Sequence, residues 1–259
     1  VLDLPFLAAR ELKRPLENGQ EEIMKPWRSW IALLVVMGTG VAAGHALSAR
    51  SARTPGVADP LPQANVATFP KDVYADTGNR LPAIQRKDLD AAGEKLFDLR
   101  APGADFFGPA AIRLYSPQVA EHMGAVNDYL RNKSGLDPRL VQLAILVTAR
   151  ECDSEYEWTA HEPQGLKAGL PAEVIDVVRY RKPVEGLAEK DAAIILLGRE
   201  TVGKHHASSE VMARAMKLFN KQEVVNYVAL MGDYSATAIL LNAFDQHIRP
   251  ADKPLLPIP

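Results

Sequence analysis

Cysteine is all but missing from this chain. Cys152 stands alone among 259 residues, which excludes an intramolecular disulfide and any Cys-x-x-Cys metal or dithiol motif. Excess charge is missing too. Thirty Lys+Arg against 32 Asp+Glu leave a net charge of −2, and no basic block is interleaved with aromatics, so nucleic acid is not expected as a partner. Alternating apolar and polar runs joined by hairpin turns are not found either, which argues against a sheet. Scarce cysteine suits cytoplasm and periplasm alike, so the compartment has to be read from the N-terminus. What the chain does have is 47% hydrophobic residues, enough to build a core.

Residues 24–49 read as a signal peptide or anchor. Lys25 and Arg28 precede the apolar run Ile31 to Gly44, and the small residues Ala46, Ser48 and Ala49 follow, the order of a secretory signal. The run falls short of the ~20 apolar residues that span a bilayer, which favours export with cleavage. The expected location is therefore the periplasm or the exterior, with an inner-membrane anchor as the alternative. An uncleaved N-terminal segment would be the sole membrane contact. Residues 1–23 are expected to lie upstream of the true start at Met24, because Gln20-Glu21-Glu22 can be encoded by a purine-rich run resembling a bacterial ribosome-binding sequence. Residues 50–80 read as a flexible linker rich in Pro, Ala, Gly and Asp. Residues 250–259, with four prolines, read as an extended arm.

Between them, residues 81–249 show helical periodicity and predict an all-α domain of antiparallel helices. Leu89, Leu96 and Phe97 mark one helix. Ser116-Pro117 opens another, with Val119, Met123, Val126 and Leu130 expected on its inner face and Gly135 ending it. Asp137-Pro138 starts a segment that is apolar from Leu140 to Val147 except for Gln142, the expected central helix. Ser154 to Ala168 forms its partner, closed by Gly169, and Pro171 to Tyr180 a shorter one. Helices over Glu189 to Val202, Val211 to Phe219 and Glu223 to Ile248 complete the set.

The stretch DPRLVQLAILVTARECDSEYEWTAHEPQGLKAG, Asp137 to Gly169, resembles the signature region of the carboxymuconolactone decarboxylase and alkylhydroperoxidase-D-like (AhpD-like) family. FGPAAIRLYSP, Phe107 to Pro117, and MGDYSATAILLNAFDQHI, Met231 to Ile248, resemble its flanks. The resemblance implies an AhpD-like antiparallel helical bundle, homo-oligomeric as a trimer or hexamer; a small-molecule substrate and no cofactor are the expectation for its site. In the peroxidase branch a Glu on the first helix serves a Cys-x-x-Cys and a His on the second. Carried onto this chain, those positions are Gln142, Ser154, Glu157 and His161, and only the His is retained. Dithiol peroxidase chemistry needs a thiolate that Ser154 and Glu157 do not offer, and the Gln142 amide takes no proton near neutral pH.

Ser154, Glu157 and His161 are spaced by three and four residues and so share a helical face, where carboxylate and imidazole can touch. Ser154-x-x-Glu157 also reads as a plain capping box. His161 with Glu157 one turn earlier forms a pair able to hold and move a proton around pH 7. Tyr156 is a candidate wall or proton donor, and Trp158 a packing residue with its indole nitrogen paired. Arg113 and Arg150 are candidates for holding a substrate carboxylate, with Gln142 and Ser154 as further substrate contacts. His161 and Glu157 fall short of the three ligands of a catalytic zinc, so no metal is expected. His205 and His206 read as surface residues. The leading expectation is a lyase that moves a proton during decarboxylation of a small organic acid or lactone. One alternative is a thiol-dependent peroxidase working through Cys152, and another a non-catalytic exported binding or assembly protein.

Overall fold

A computed structural model describes residues 69–100 and 107–257. The expected signal segment and the start at Met24 lie outside the described residues. Within them the chain is helical, with one isolated antiparallel bridge, Tyr74 to Asn79, outside the helices. A 3-10 turn at Arg86–Asp88 leads into α1 (Ala91–Arg100), α2 (Pro109–Arg113) and α3 (Pro117–Asp128), which runs on into a wide, π-type turn at Tyr129–Lys133. Then follow α4 (Pro138–Glu151), α5 (Glu155–Lys167), α6 (Ala172–Arg179), α7 (Glu189–Gly198) with a second wide turn at Arg199–Gly203, α8 (Ser209–Leu218) and α9 (Lys221–Ala243).

The centre is α4. The Asp137 side chain accepts from the Arg139 N–H and Pro138 takes the first helical position, so an orphan amide is satisfied and φ is preset. Every residue from Leu140 to Arg150 is buried, because α5, α6, α7 and α9 all pack against this one helix. Gly198 lets α7 come close: a Cβ there would lie 2.4 Å from Val147 Cγ1. Cys152, Asp153 and Ser154 turn the chain between α4 and α5, with Asp153 in the left-handed region at φ 47°. The short turn makes the two helices antiparallel neighbours and sets the middle of α4 against the middle of α5. Trp158 of α5 is fully buried and its indole N–H donates to Glu162 Oε2 at 2.6 Å.

Several elements depart from the sequence expectation. On α3, Val119 and Val126 are 41% and 48% exposed; the helix lies at the margin of the bundle and none of its own residues is buried. Leu130, in the wide turn beyond it, is the residue that reaches the core. The helix expected to run to Val202 keeps that extent but widens from α to π-type after Gly198, ending at Gly203. The last helix, capped by a box between Asn220 and Glu223, ends at Ala243 instead of Ile248. Beyond it the Phe244 carbonyl accepts from the Arg80 N–H at 2.8 Å, and the His247 N–H donates to the Gly78 carbonyl at 2.8 Å. The Gln246 amide bonds to Asn79 and to the carbonyls of Thr77 and Gly78. These bonds to residues 77–80 take the place of another helical turn. They also show that residues 69–80, expected as part of a flexible linker, are folded onto the domain, with Val73, Thr77 and Asn79 buried.

The C-terminal arm lies on the domain as well. Glu155 accepts the backbone N–H groups of Leu255, at 2.8 Å, and Leu256, at 3.2 Å, and the Leu256 side chain joins the hydrophobic core. His205 and His206 are exposed, and His247 packs against Phe69.

Candidate active site

Three helices bring the site together. Gln142 faces α5 from the middle of α4, Glu157 and His161 stand one turn apart on α5, and Tyr234 projects from α9. His161 Nδ1 lies 2.9 Å from Gln142 Oε1. An amide oxygen only accepts, so Nδ1 carries the hydrogen and Nε2 is left with its lone pair. Two groups address that lone pair: the Tyr234 hydroxyl at 3.3 Å and Glu157 Oε2 at 3.5 Å. The Tyr234 ring stands edge-on to the imidazole, at 85° and 5.2 Å between centroids.

Burial sets the charge states. Glu157 is 3% exposed and His161 6%, and taking a charge out of water disfavours the ionised form of each. Burial, with Asp233 adding to it, lifts the Glu157 carboxyl to about 7 against the pull of Arg113 and Arg131. Burial, with Arg131 adding to it, lowers the His161 imidazole to about 3. Burial also raises the Tyr234 phenol above its ordinary range. The spacing on α5 predicts a His that titrates near neutrality beside an ionised carboxylate. The buried pair is the reverse: a neutral imidazole beside a carboxyl that holds its proton up to about pH 7.

Arg113 reaches this group from α2. It donates to the Thr237 hydroxyl, its charge acts on Glu157, and its buried Nε has no protein partner. Gln142 is in place through its bond to His161. Arg150 is not brought here. It stands eight residues along α4 from Gln142, about 12 Å farther up the axis, where it pairs with Asp153. Tyr156 also misses the site. Five residues from His161 puts it about 140° around the helix, and it lines a separate cavity of about 360 Å³ with Thr159, Ala160 and the C-terminal arm. Ser154 stands at the N-cap position of α5, but its side chain makes no cap bond and its buried Oγ has no protein partner. The capping-box reading therefore fails, because Glu157 turns into the core toward Arg113 and His161 instead of back to the helix start.

Sequence reasoning missed Tyr234, Asp233, Asn127 and Arg131. Asp233 and Tyr234 are buried in a helix otherwise rich in apolar residues, and buried polar residues are the informative ones in such a helix. Asn127 of α3 donates to Asp233 Oδ2 at 2.8 Å. Arg131, in the wide turn after α3, acts through its charge on Glu157, His161 and Tyr234 alike. Cys152 lies elsewhere, on a cavity of about 570 Å³ between the end of α4, the second wide turn and α9. Burial, assisted by Glu151 and Asp153, raises its thiol against a hydrogen bond from Ser235.

A central buried helix followed by a second helix that carries the polar group defines an AhpD-like helical domain. Residues 117–198 match the carboxymuconolactone decarboxylase family, so this segment of the chain is similar to that family. A solved structure from Ralstonia eutropha JMP134, described as an alkylhydroperoxidase AhpD core and an uncharacterized peroxidase-related protein, is similar over 66% of this chain and 92% of its own, at 14% identity and a TM-score of 0.53. That likeness is one of fold. A second structure, from Agrobacterium tumefaciens, described as of unknown function and a candidate antioxidant defence protein AhpD, aligns over 57% of this chain and 96% of its own, at 15% identity and a TM-score of 0.48. No curated protein matches the sequence.

Proposed function

We propose that the domain is a cofactor-independent enzyme that decarboxylates a small organic acid or lactone, with Glu157 as the proton donor and His161 as its neutral partner. The observation that carries this reading is a carboxyl held near pH 7 at 3.5 Å from the Nε2 lone pair of a neutral imidazole. A general acid works best when its pKa lies close to the operating pH. In the reaction the substrate carboxylate leaves as CO2 and its bonding electron pair stays on the carbon. That carbanion takes the proton of Glu157, and Glu157 recovers one from solvent, so each turnover consumes one proton. Gln142, accepting from Nδ1, and Tyr234, at Nε2, hold the imidazole in the tautomer whose Nε2 lone pair faces Tyr234 and Glu157. Export through the N-terminal segment and homo-oligomeric assembly complete the proposal.

The experiment is CO2 release from a panel of small keto acids and lactone acids in D2O. We expect one solvent deuterium in the product and a loss of turnover by about two orders of magnitude or more in Glu157→Gln. Full activity in Glu157→Gln, or in His161→Ala, would overturn the assignment. A peroxidase reading through Cys152 has in its favour the cavity of about 570 Å³ beside the thiol. Its raised pKa leaves little thiolate at neutral pH, and the thiolate is the nucleophile. Peroxide turnover that is unchanged in Cys152→Ser would remove that reading.

A further inference from the structure

We propose that the outward face of α9 is a self-association surface, on which a second copy of this chain docks its own α9 in antiparallel register about a two-fold axis at Gly232. The inference gives a contact to the homo-oligomeric part of the proposed function and rests on that part alone.

Beyond Glu223 the sole charged residue of α9 is Asp233, which is buried. The face turned to solvent is therefore uncharged for about five turns, whereas a solvated helix face is normally charged. From Gly232 outward its residues come in pairs: Ala229 and Ser235 three positions away, Val228 and Ala236 four away, Val225 and Ile239 seven away. At about 100° per residue all six fall within about 60° of Gly232 around the helix, and none of them is buried. Val225 and Ile239 are 63% and 67% exposed, and a contiguous apolar surface of this kind marks an interaction site. Gly232 itself has no reason to be glycine within its own chain. A Cβ there would meet nothing within 4 Å, yet glycine inside a helix costs about 0.5–1 kcal/mol against alanine. The missing side chain admits a second helix crossing close over this point.

The order of the face makes it complementary to itself. Under the two-fold, bulky Val228 of one copy meets small Ala236 of the other, Val225 meets Ile239 at either end, and the two Gly232 positions meet at the crossing. Charge agrees with the antiparallel direction. Lys133 and Lys204 have carboxylate partners within the chain, whereas among the described residues Lys221, the exposed first residue of α9, has none. The antiparallel register brings Lys221 to the far end of the other α9, where Asp72 and Asp245 share the guanidinium of Arg80. A parallel copy would set Lys221 beside Lys221 and the like ends of two helix dipoles side by side. The contact also borders the cavity of about 570 Å³ beside Cys152, because Val228, Gly232, Ser235 and Ile239 belong both to the face and to the cavity wall. The second copy roofs that cavity.

The test is disulfide trapping in the full chain, with Cys152→Ser as background so that each introduced thiol stands alone, beside sedimentation of the wild type. The wild type should sediment as a dimer, or a multiple of one, at micromolar concentration. Gly232→Cys should link to itself on mild oxidation. Val225→Cys and Ile239→Cys should each fail to link alone, because the two-fold leaves like positions about 21 Å apart along the helix, and should link to each other when the two variants are mixed. Ile239→Glu should weaken association by about tenfold or more without lowering the thermal midpoint, since the fold does not bury this side chain. A full chain that stays monomeric, free or on added phosphatidylglycerol vesicles, would overturn both the assembly and this face. An oligomer in which neither Gly232→Cys nor the mixed pair links, in which Val225→Cys links to itself, or which Ile239→Glu leaves as tight as the wild type would overturn the face and leave the assembly standing. Turnover is not read in any of these, so the proton-transfer mechanism stands or falls separately.

Discussion

Replacing Glu157 by Gln should change the shape of the stability curve against pH, and the size of the change follows from burial. In the unfolded chain the carboxyl ionises around 4.5, and in the folded chain at about 7. At ~1.4 kcal/mol per pH unit, this gap costs the fold about 3 kcal/mol once Glu157 is ionised. The sign follows from proton counts. Between pH 4.5 and 7 the folded state holds a proton that the unfolded state has lost, so stability falls as pH rises and levels off above 7. His161 works the other way. Its folded value is lowered from 6.5 to about 3, so stability is lost as pH falls through that window, by about 5 kcal/mol in all. Where the windows overlap, from 4.5 to 6.5, the two contributions cancel in the wild type. Glu157→Gln removes one of them. Urea unfolding from pH 4.5 to 7.5 at constant ionic strength should show the variant gaining on the wild type by about 3 kcal/mol across the series. Any pH-independent penalty of the amide shifts the whole curve and drops out of the comparison. Parallel curves for the two proteins would refute the raised carboxyl.

Gln142→Glu places a carboxylate where an amide oxygen lies 2.9 Å from His161 Nδ1; an opposite charge at that range should raise the imidazole pKa by about 1–3, and an NMR titration with no upward movement would contradict the geometry. Leu256→Ala removes a side chain that is 4% exposed within the core and should cost about 2–4 kcal/mol in urea unfolding, whereas Leu99→Ala, at 75% exposure, should change stability by less than about 0.5 kcal/mol. Gly198→Ala puts a Cβ 2.4 Å from Val147 Cγ1 and should destabilise by about 1–3 kcal/mol, with part of the loss recovered by adding Val147→Ala; additive losses would show that the two side chains do not collide.

The parts of the fold that local chemistry dictates were legible in the sequence. Asp137-Pro138 and the apolar run behind them mark α4, Gly169 at φ 86° closes the segment after α5, and His161 and Glu157 meet because a spacing of four is one helical turn. Long-range contacts decided the rest. The end of α9 is set by Gln246 and His247 bonding to residues 77–79, and no periodicity within α9 announces that. The apolar row on α3 resembles a core face, yet Val119 and Val126 stay exposed while Leu130, beyond the helix, is buried. Tyr156 was visible beside His161 in sequence but points elsewhere, while Tyr234, 73 residues away, supplies the phenol. Residue types suggested a His that titrates; the depth of burial transfers the proton to Glu157, and depth is a property of the packed bundle.

The most direct measurement is an NMR titration of the Glu157 side-chain carboxyl carbon together with the His161 ring nitrogens. The account predicts a carboxyl that titrates near pH 7 and an imidazole that stays neutral, with its hydrogen on Nδ1, down to about pH 3. A His161 that becomes cationic near 6.5 beside a carboxylate ionised from 4.5 upward would contradict it.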